Sequence, residues 1–304
     1  MIRPIYQCYL VLMLPFLALL MPVVEMVPVT VAPAESPSSL PQTVMSKFKA
    51  ATYNIRYDAA ADTESGNGWE IRKKPVVELM QKHGFDIVGT QEGDAGQLAD
   101  VLELMPGYAV TAYPYGGKGD LHNAAIFYRK DLFEPLDQGV FWLSETPEQQ
   151  SIGWDASDPR ICQWVHLRDQ RNGKEFYFFN AHFYWRNKEA KAQSGPLIAR
   201  KVSEIAGDRP AFLVGDFNST AETDQVRAIA QVLDDAFDKT QIEPKGPEDT
   251  NLGGGNFIGP PKGRIDYIFV SPQIQVRDYE VYADRYGSNR YPSDHLPVAC
   301  QVAF

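Results

Sequence analysis

Two textures alternate along most of this chain. Short apolar runs closed by Gly, Asn, Asp or Pro read as strands, and apolar residues spaced every three or four positions read as helices. The first texture covers Phe48–Asn54, Asp86–Glu92, Tyr108–Ala112, Ala124–Tyr128, Gly139–Leu143 and Ile161–Leu167. It continues through Glu175–His182, Ala211–Val214, Arg264–Val270, Gln275–Tyr282 and Leu296–Phe304. The second covers Trp69–His83, Ala95–Met105, Lys188–Gly207 and Thr223–Leu233. Gly195-Pro196 is a place for the third of these helices to break or kink. Arg171-Asn172-Gly173 reads as a hairpin turn. Asp58–Gly68, Gly116–Gly119 and Glu243–Pro261 read as loops. Strands outnumber helices, and helices fall between strand pairs rather than after every strand. The pattern predicts an α/β (α+β) four-layer sandwich, two mixed β-sheets packed face to face with helices on the outside.

The beginning of the chain does not share these textures. Met1–Val24 carries one early charge, Arg3, and then a long apolar run interrupted by Pro15 and Pro22. Ala32-Pro33-Ala34 offers a small-x-small cleavage pattern, and Glu35–Gln42 is rich in Pro and Ser. Residues 1–34 therefore read as a signal peptide or, alternatively, an N-terminal anchor; residues 35–46 read as a spacer and 47–304 as one catalytic domain. Cys8–Val24 is at the short limit for spanning a bilayer. The expectation is an exported protein, periplasmic or extracellular, with no stable membrane insertion once the leader is removed, acting as a monomer.

Composition narrows the partners. The chain has 304 residues, 44% hydrophobic and 22% charged, with 29 basic against 39 acidic residues and a net charge of −10. Losing residues 1–34 removes Arg3 and Glu25 and leaves that balance unchanged. This balance argues against a protein that holds nucleic acid on a broad basic surface, but not against a nuclease, because a bound cation locally reverses the field of an acidic site. Cys162 and Cys300 lie in strands and either pair or stay as buried thiols.

The chemistry collects at strand ends. Pro210–Thr220 reads Pro-Ala-Phe-Leu-Val-Gly-Asp-Phe-Asn-Ser-Thr. Asp216 and Asn218 sit one position apart at the tip of its apolar run, so an extended chain presents both on one side. Asn54, Glu92, Asn123, His182, Asp266, Asp294 and His295 likewise sit in or just after apolar strands. Singly, each has a structural explanation: a turn, a solvated charge, a satisfied core histidine, an ion pair between Asp266 and Arg264. Together they bring oxygen ligands and imidazoles to one end of several strands, which suits a hard cation and a phosphate. There is no Cys cluster and no His-Glu-x-x-His, so a closed zinc site does not fit.

In these residues the chain resembles the endonuclease/exonuclease/phosphatase superfamily, with its deoxyribonuclease I-like fold. The resemblance rests on Thr52-Tyr-Asn54-Ile, Thr90-Gln91-Glu92, Asn180-Ala-His182-Phe, Gly215-Asp216-Phe-Asn218-Ser, Arg264-Ile-Asp266-Tyr and Ser293-Asp294-His295-Leu-Pro. They occur in the family's order and span residues 48–304. Asn67-Gly-Trp69-Glu-Ile-Arg-Lys, Phe141–Pro147 and Gly153-Trp-Asp-Ala look like a bacterial exported branch, loosely similar to deadenylases of the carbon-catabolite-repressor type. The resemblance implies Mg²⁺ or Mn²⁺ held by Glu92 and Asn54, with Asp294 contacting the metal or fixing the tautomer of its neighbour. It implies Asp216 on the attacking water, Asn218 on the water or phosphate, His295 on the non-bridging oxygens, and His182 on the phosphate or leaving group. Asp266 supports this network. Asn123 and Arg160 are the candidates for the substrate phosphate, and for Arg160 a structural ion pair stands level with that role.

One departure matters. Many relatives follow His-Phe with Asp-His, whereas here His182-Phe183 leads into Tyr184-Trp185. These two aromatics are either core or a wall for a base or sugar. The expected activity is hydrolysis of a phosphodiester, nucleic acid first among the substrates. A small-molecule or lipid-headgroup phosphodiesterase or a phosphomonoesterase is the alternative, and a non-catalytic binding module on the same fold is the reading from a different class. A sugar hydrolase using two carboxylates does not explain Asp216-x-Asn218 or Asp294-His295.

Overall fold

The computed structural model describes residues 45–116, 122–186 and 188–304. The leader, all but the end of the spacer, and most of the expected turn at Gly116–Gly119 lie outside the described residues. In chain order the elements are β1 (Lys47–Asn54), α1 (Ala60–Glu64), α2 (Trp69–Lys82), β2 (Ile87–Gln91), α3 (Ala95–Leu104), β3 (Tyr108–Thr111), β4 (Ala124–Arg129), β5 (Phe133–Trp142), β6 (Ile161–Asp169) and β7 (Glu175–His182). There follow α4 (Lys188–Ala206), β8 (Ala211–Asp216), α5 (Asp224–Ala230), β9 (Asp234–Asp235), α6 (Ala236–Lys239), β10 (Asp266–Val270), β11 (Gln275–Val276), β12 (Glu280–Val281) and β13 (Val298–Ala303).

Two mixed sheets result. One runs β11-β13-β1-β2-β4-β3, with β12 also on β13; the other runs β5-β6-β7-β8-β10-β9. The only parallel pairs among the described strands are β1 with β2 and β7 with β8, at the centres of their sheets. Period-two burial then makes the layers. Phe48 and Ala50, Phe176 and Phe178, Phe212 and Val214, and Ile268 and Val270 fill the space between the sheets. The intervening residues Ala51 and Tyr53 pack under α2 and α3. On the other sheet Phe179, Leu213, Tyr267 and Phe269 pack under α4 and α5. This is the expected four-layer sandwich.

A buried polar contact joins the two sheets. Asn180 on β7 donates to the Thr90 and Ala125 carbonyls (2.9 and 2.8 Å) and accepts from Gln91 Nε2 (2.7 Å). A buried amide needs these partners, and their directions fix how the two sheets align. Gly89 faces it, and a Cβ there would lie 2.5 Å from Val214 Cγ2 and 2.7 Å from Asn180 Cγ.

The differences from the sequence reading have local causes. Asp58–Gly68 is not all loop, because α1 forms within it, and its buried Asp62 accepts from Arg56 Nε (2.9 Å). β5 starts earlier than Gly139; its first half is an edge strand with a bulge between Pro135 and Asp137 and little apolar signal. Gln275–Tyr282 is two short strands rather than one, since the Asp278 carboxylate takes the Gln301 N–H (2.7 Å) that a continuous ladder would use. Helix α4 runs through Gly195-Pro196, where the absent side chain lets α5 approach: a Cβ on Gly195 would lie 2.1 Å from the Gln225 carbonyl. Cys162 and Cys300 are both free and buried, one beneath α4 and the other between the sheets.

Gly89→Ala should cost about 1–3 kcal/mol of stability through overpacking. Gly107→Ala, with nothing within 4 Å of the added methyl group, should stay within about 0.5 kcal/mol. Urea unfolding of the two variants checks this, and equal midpoints would contradict the close approach.

Candidate active site

Register places the polar residues in one row. Asn54 pairs with Gln91, so Glu92 leaves β2 beside the end of β1. His182 pairs with Asp216 across the parallel junction, and Asp266 pairs with Asp216 on its other side. Asp294 and His295 arrive on the loop before β13, where Ser293 Oγ donates to the Asn54 carbonyl (2.7 Å). Several turns at this end are strained. Arg56 (φ 58°), Glu92 (φ 69°) and Asn218 (φ 48°) all take left-handed backbone conformations without being glycine. Such residues cost roughly 1–3 kcal/mol each, and they gather where side chains must be aimed.

Asn54 is the junction between the two sheets' contributions. Its Nδ2 donates to Glu92 Oε1 (3.1 Å) and to Asp216 Oδ2 (3.0 Å). Its Oδ1 accepts from the Arg56 N–H (3.0 Å). Glu92 Oε2 accepts from the Tyr57 N–H (3.3 Å). Burial opposes ionisation of Glu92, but His295, Asn54 and Arg56 together hold its carboxyl below the usual range. Asp216 differs. Burial, aided by the charge of Asp266 and only partly offset by His295, pushes its pKa up to about 7. Its Oδ1 accepts from the Asn218 N–H (2.9 Å), so the Asp216-x-Asn218 turn anchors its own carboxylate.

The two histidines are set apart by their neighbours. His295 Nδ1 meets Asp266 Oδ2 at 2.9 Å, and its Nε2 lies 3.7 Å from Asp216 Oδ2. Burial would lower its pKa, but Asp266 and Asp216 outweigh burial and hold it well above the ordinary value. Asp266 is in turn fixed by Thr250 Oγ1 (2.6 Å), and Arg264 pairs with Asp235 instead (2.7 Å). The ring of His295 is thus oriented by Asp266 and not by Asp294, whose Oδ2 accepts from the Gly255 N–H (2.7 Å). His182 is buried against Tyr115, with Nδ1 2.9 Å from the phenol oxygen, and its Nε2 is 3.4 Å from Asp216 Oδ2. Burial first, then Arg160 and His295, push its pKa well below the ordinary value. The site therefore presents one cationic and one neutral imidazole.

Glu92, His182 and Asp216 bring donor atoms within 4.8 Å of one another, as do Asp216, Asp266 and His295. The cations near Glu92 do not neutralise it by direct pairing: Arg56 pairs with Asp62 and lies 3.7 Å from Asp294. Convergent carboxylate oxygens beside an amide fit a hard divalent cation. Glu92 and Asp216 would hold it on this geometry, with Asn54 between them. Asp294 faces the same cavity but is tied to the Gly255 loop.

A cavity of about 640 Å³ opens over this row. Glu92, His182, Asp216, Asn218, Asp294, His295 and Arg160 line it. Arg160 lies between the rings of Tyr115 and Tyr184 (5.1 and 5.6 Å to the centroids), and its buried Nε has no hydrogen-bond partner. No ion pair holds it among the described residues, so the structural alternative to a ligand contact lacks a partner. Asn123 is elsewhere. It donates Nδ2 to the Gly93 carbonyl (3.1 Å) and stays behind the wall, steadying the residue after Glu92. The aromatic pair divides: Tyr184 is core, with its hydroxyl 2.7 Å from Ser157 Oγ, while Trp185 is 52% exposed and lines the cavity. Tyr115, Thr250 and Arg56 were not legible as site residues. Thr250 lies in a long loop, and no spacing marks the other two.

Comparison with known proteins agrees with this geometry. The endonuclease/exonuclease/phosphatase family pattern matches residues 51–295. A family protein of Bacteroides thetaiotaomicron of known structure is 38% identical, with a TM-score of 0.81 over 86% of this chain and 99% of its own. A mannosyl-6-phosphatase from the same species is also 38% identical, with a TM-score of 0.80 over 84% of this chain and 100% of its own. Nocturnin of Drosophila melanogaster is 22% identical over 76% of this chain, which spans 41% of that protein's length. The chain is a member of the endonuclease/exonuclease/phosphatase family, divalent-metal-dependent hydrolases of phosphate esters.

Proposed function

We propose that this chain removes a phosphate group from a small phosphorylated sugar, using Mg²⁺ or Mn²⁺. The observation that carries the reading is the shape and charge of the cavity. The catalytic row lies in a pocket of about 640 Å³, and among the described residues Arg56 and Arg160 are the only Lys or Arg that line it. Arg56 is already paired, which leaves one guanidinium free for a phosphate. A polynucleotide needs a cationic track along its backbone, and the net charge of −10 argues against one. The 38% identical mannosyl-6-phosphatase supports the same class. The nuclease that stands first on sequence grounds becomes the second reading, favoured by the exposed face of Trp185 and by the likeness to Nocturnin.

The bound cation would neutralise phosphate charge and acidify water. Asp216, anchored through both oxygens and poised near neutrality, accepts the proton of the attacking water. His295, kept cationic by Asp266, faces the developing charge on the non-bridging oxygens. His182 stays neutral and donates or accepts a hydrogen bond without carrying charge. Asn218 donates Nδ2 to His182 Nε2 (3.1 Å) and to the Phe183 carbonyl (3.1 Å), which holds that imidazole beside Asp216, and Arg160 takes an outer oxygen. Phosphoryl transfer depends mainly on such positioning and charge stabilisation. Export rests on the apolar run Tyr9–Val24 and on Ala32-Pro33-Ala34.

Hexose 6-phosphates, a phosphodiester and an RNA oligomer, each with Mn²⁺ or EDTA, separate the readings. Metal-dependent phosphate release from the sugars is expected; shortened RNA with inert sugar phosphates would establish the nuclease. Asp216→Asn should lower kcat by about 10²–10⁴-fold with the fold intact, as loss of a proton acceptor does. Below its pKa the Asp216 carboxyl is protonated and cannot act as base, and a nearby cation favours the ionised form. The acid limb of kcat/KM should therefore move up toward pH 7 as metal is diluted; a limb indifferent to metal would contradict the role of Asp216. Trp185→Ala should cost roughly three- to tenfold in kcat/KM for the sugar phosphates, the worth of one aromatic contact, and little for inorganic pyrophosphate.

A further inference from the structure

The sequence singles out Asn67-Gly-Trp69-Glu-Ile-Arg-Lys, and none of it enters the cavity. Its Arg72, on α2, is fully buried. A guanidinium has five N–H groups. Here all of them are spent on backbone carbonyls, and no carboxylate pairs with it among the described residues. Nε donates to Asn67 (2.7 Å), Nη1 to Ile55 (2.8 Å) and Pro292 (3.0 Å), and Nη2 to Arg56 (3.1 Å) and Tyr57 (3.4 Å). Trp69 and Phe257 cover its faces, at 5.5 and 5.2 Å to their centroids. Burying an unpaired cation is expensive unless its hydrogen bonds are complete, and these are.

The carbonyls it gathers are not arbitrary. Ile55, Arg56 and Tyr57 form the left-handed turn at the end of β1. The N–H groups of that turn point the other way: Arg56 N–H orients Asn54 Oδ1 (3.0 Å), and Tyr57 N–H holds Glu92 Oε2 (3.3 Å). Pro292 immediately precedes Ser293-Asp294-His295. One side chain thus ties the turn that aims Asn54 and Glu92 to the loop that delivers Asp294 and His295. We propose that Arg72 is a positioning residue, which sets the metal-binding geometry of Glu92, and the Asn54 amide that aims it, by holding the strained Ile55–Tyr57 turn from behind. Lysine cannot replace it, because three donors on one atom do not reach three chain segments. Gln97 assists: its Nε2 donates to the same Arg56 carbonyl (2.9 Å), while its Oε1 caps α3 by accepting from Asp94 N–H (3.1 Å).

This assignment rests on the metal reading, and the test separates the two. The full chain is melted with and without Mn²⁺, as wild type, Arg72→Lys and Gln97→Glu. Gln97→Glu keeps the acceptor of the helix cap, loses the donor to Arg56 and sets a buried carboxylate oxygen against that carbonyl, which loosens the turn. Wild type should gain stability from Mn²⁺. Arg72→Lys should need about 10–100-fold more Mn²⁺ for the same gain, the usual cost of losing a group behind a ligand. Its kcat should fall with KM little changed. Gln97→Glu should shift the same way by a smaller factor, and it decides the matter if Arg72→Lys does not fold. A wild-type gain retained at the same Mn²⁺ concentration in the folded variants, whatever their melting temperatures without metal, overturns the assignment alone. A wild type that gains nothing overturns the metal reading and the assignment with it.

Discussion

Four carboxylates, those of Glu92, Asp216, Asp266 and Asp294, are crowded at one end of two sheets. Like charges so close cannot all ionise without compensation. The surrounding side chains meet this constraint in different ways. His295 carries a positive charge between Asp266 and Asp216. Asn54 offers one amide to Glu92 and Asp216 together. Asp216 is left close to neutrality, which makes it the group whose charge is easiest to change during a reaction. A divalent cation would complete the compensation, so metal binding and catalysis would draw on the same electrostatic shortfall.

The fold supplies this arrangement through its two parallel junctions. Each central pair of strands delivers polar ends on the same side, and the Asn180 contact between the sheets aligns one junction with the other. Behind them Arg72 joins loops that are far apart in sequence. The strained turn at Arg56 is held from outside the cavity by the Arg72 and Gln97 side chains on its carbonyl.

Much of this was legible in the sequence. Apolar runs ending in Asp, Asn, Glu or His marked both the strands and the row of site residues, because period-two burial and strand-end chemistry are local signals. What was not legible depends on contacts distant in sequence. Thr250 is bonded to Asp266 from within a loop that looks featureless. Arg264 was a natural partner for Asp266 two residues on, but it lies before β10 and pairs with Asp235, while Asp266 is taken by Thr250 and His295. Asn123 was grouped with the polar residues at strand ends, yet its Nδ2 donates to the Gly93 carbonyl and it does not line the cavity. The edge strand β5 and the split β11–β12 carry too little apolar contrast to be bounded by pattern alone.

The central claim is that Glu92 and Asp216, aimed by the Asn54 amide between them, converge to hold a divalent cation over which a phosphate ester is hydrolysed. Anomalous diffraction from crystals grown with Mn²⁺ tests it most directly. A peak is predicted inside the cavity, within about 2–2.5 Å of a Glu92 carboxylate oxygen, the distance expected for a hard cation. Density for manganese only at surface carboxylates, with the cavity empty of metal at saturating concentration, would contradict the account.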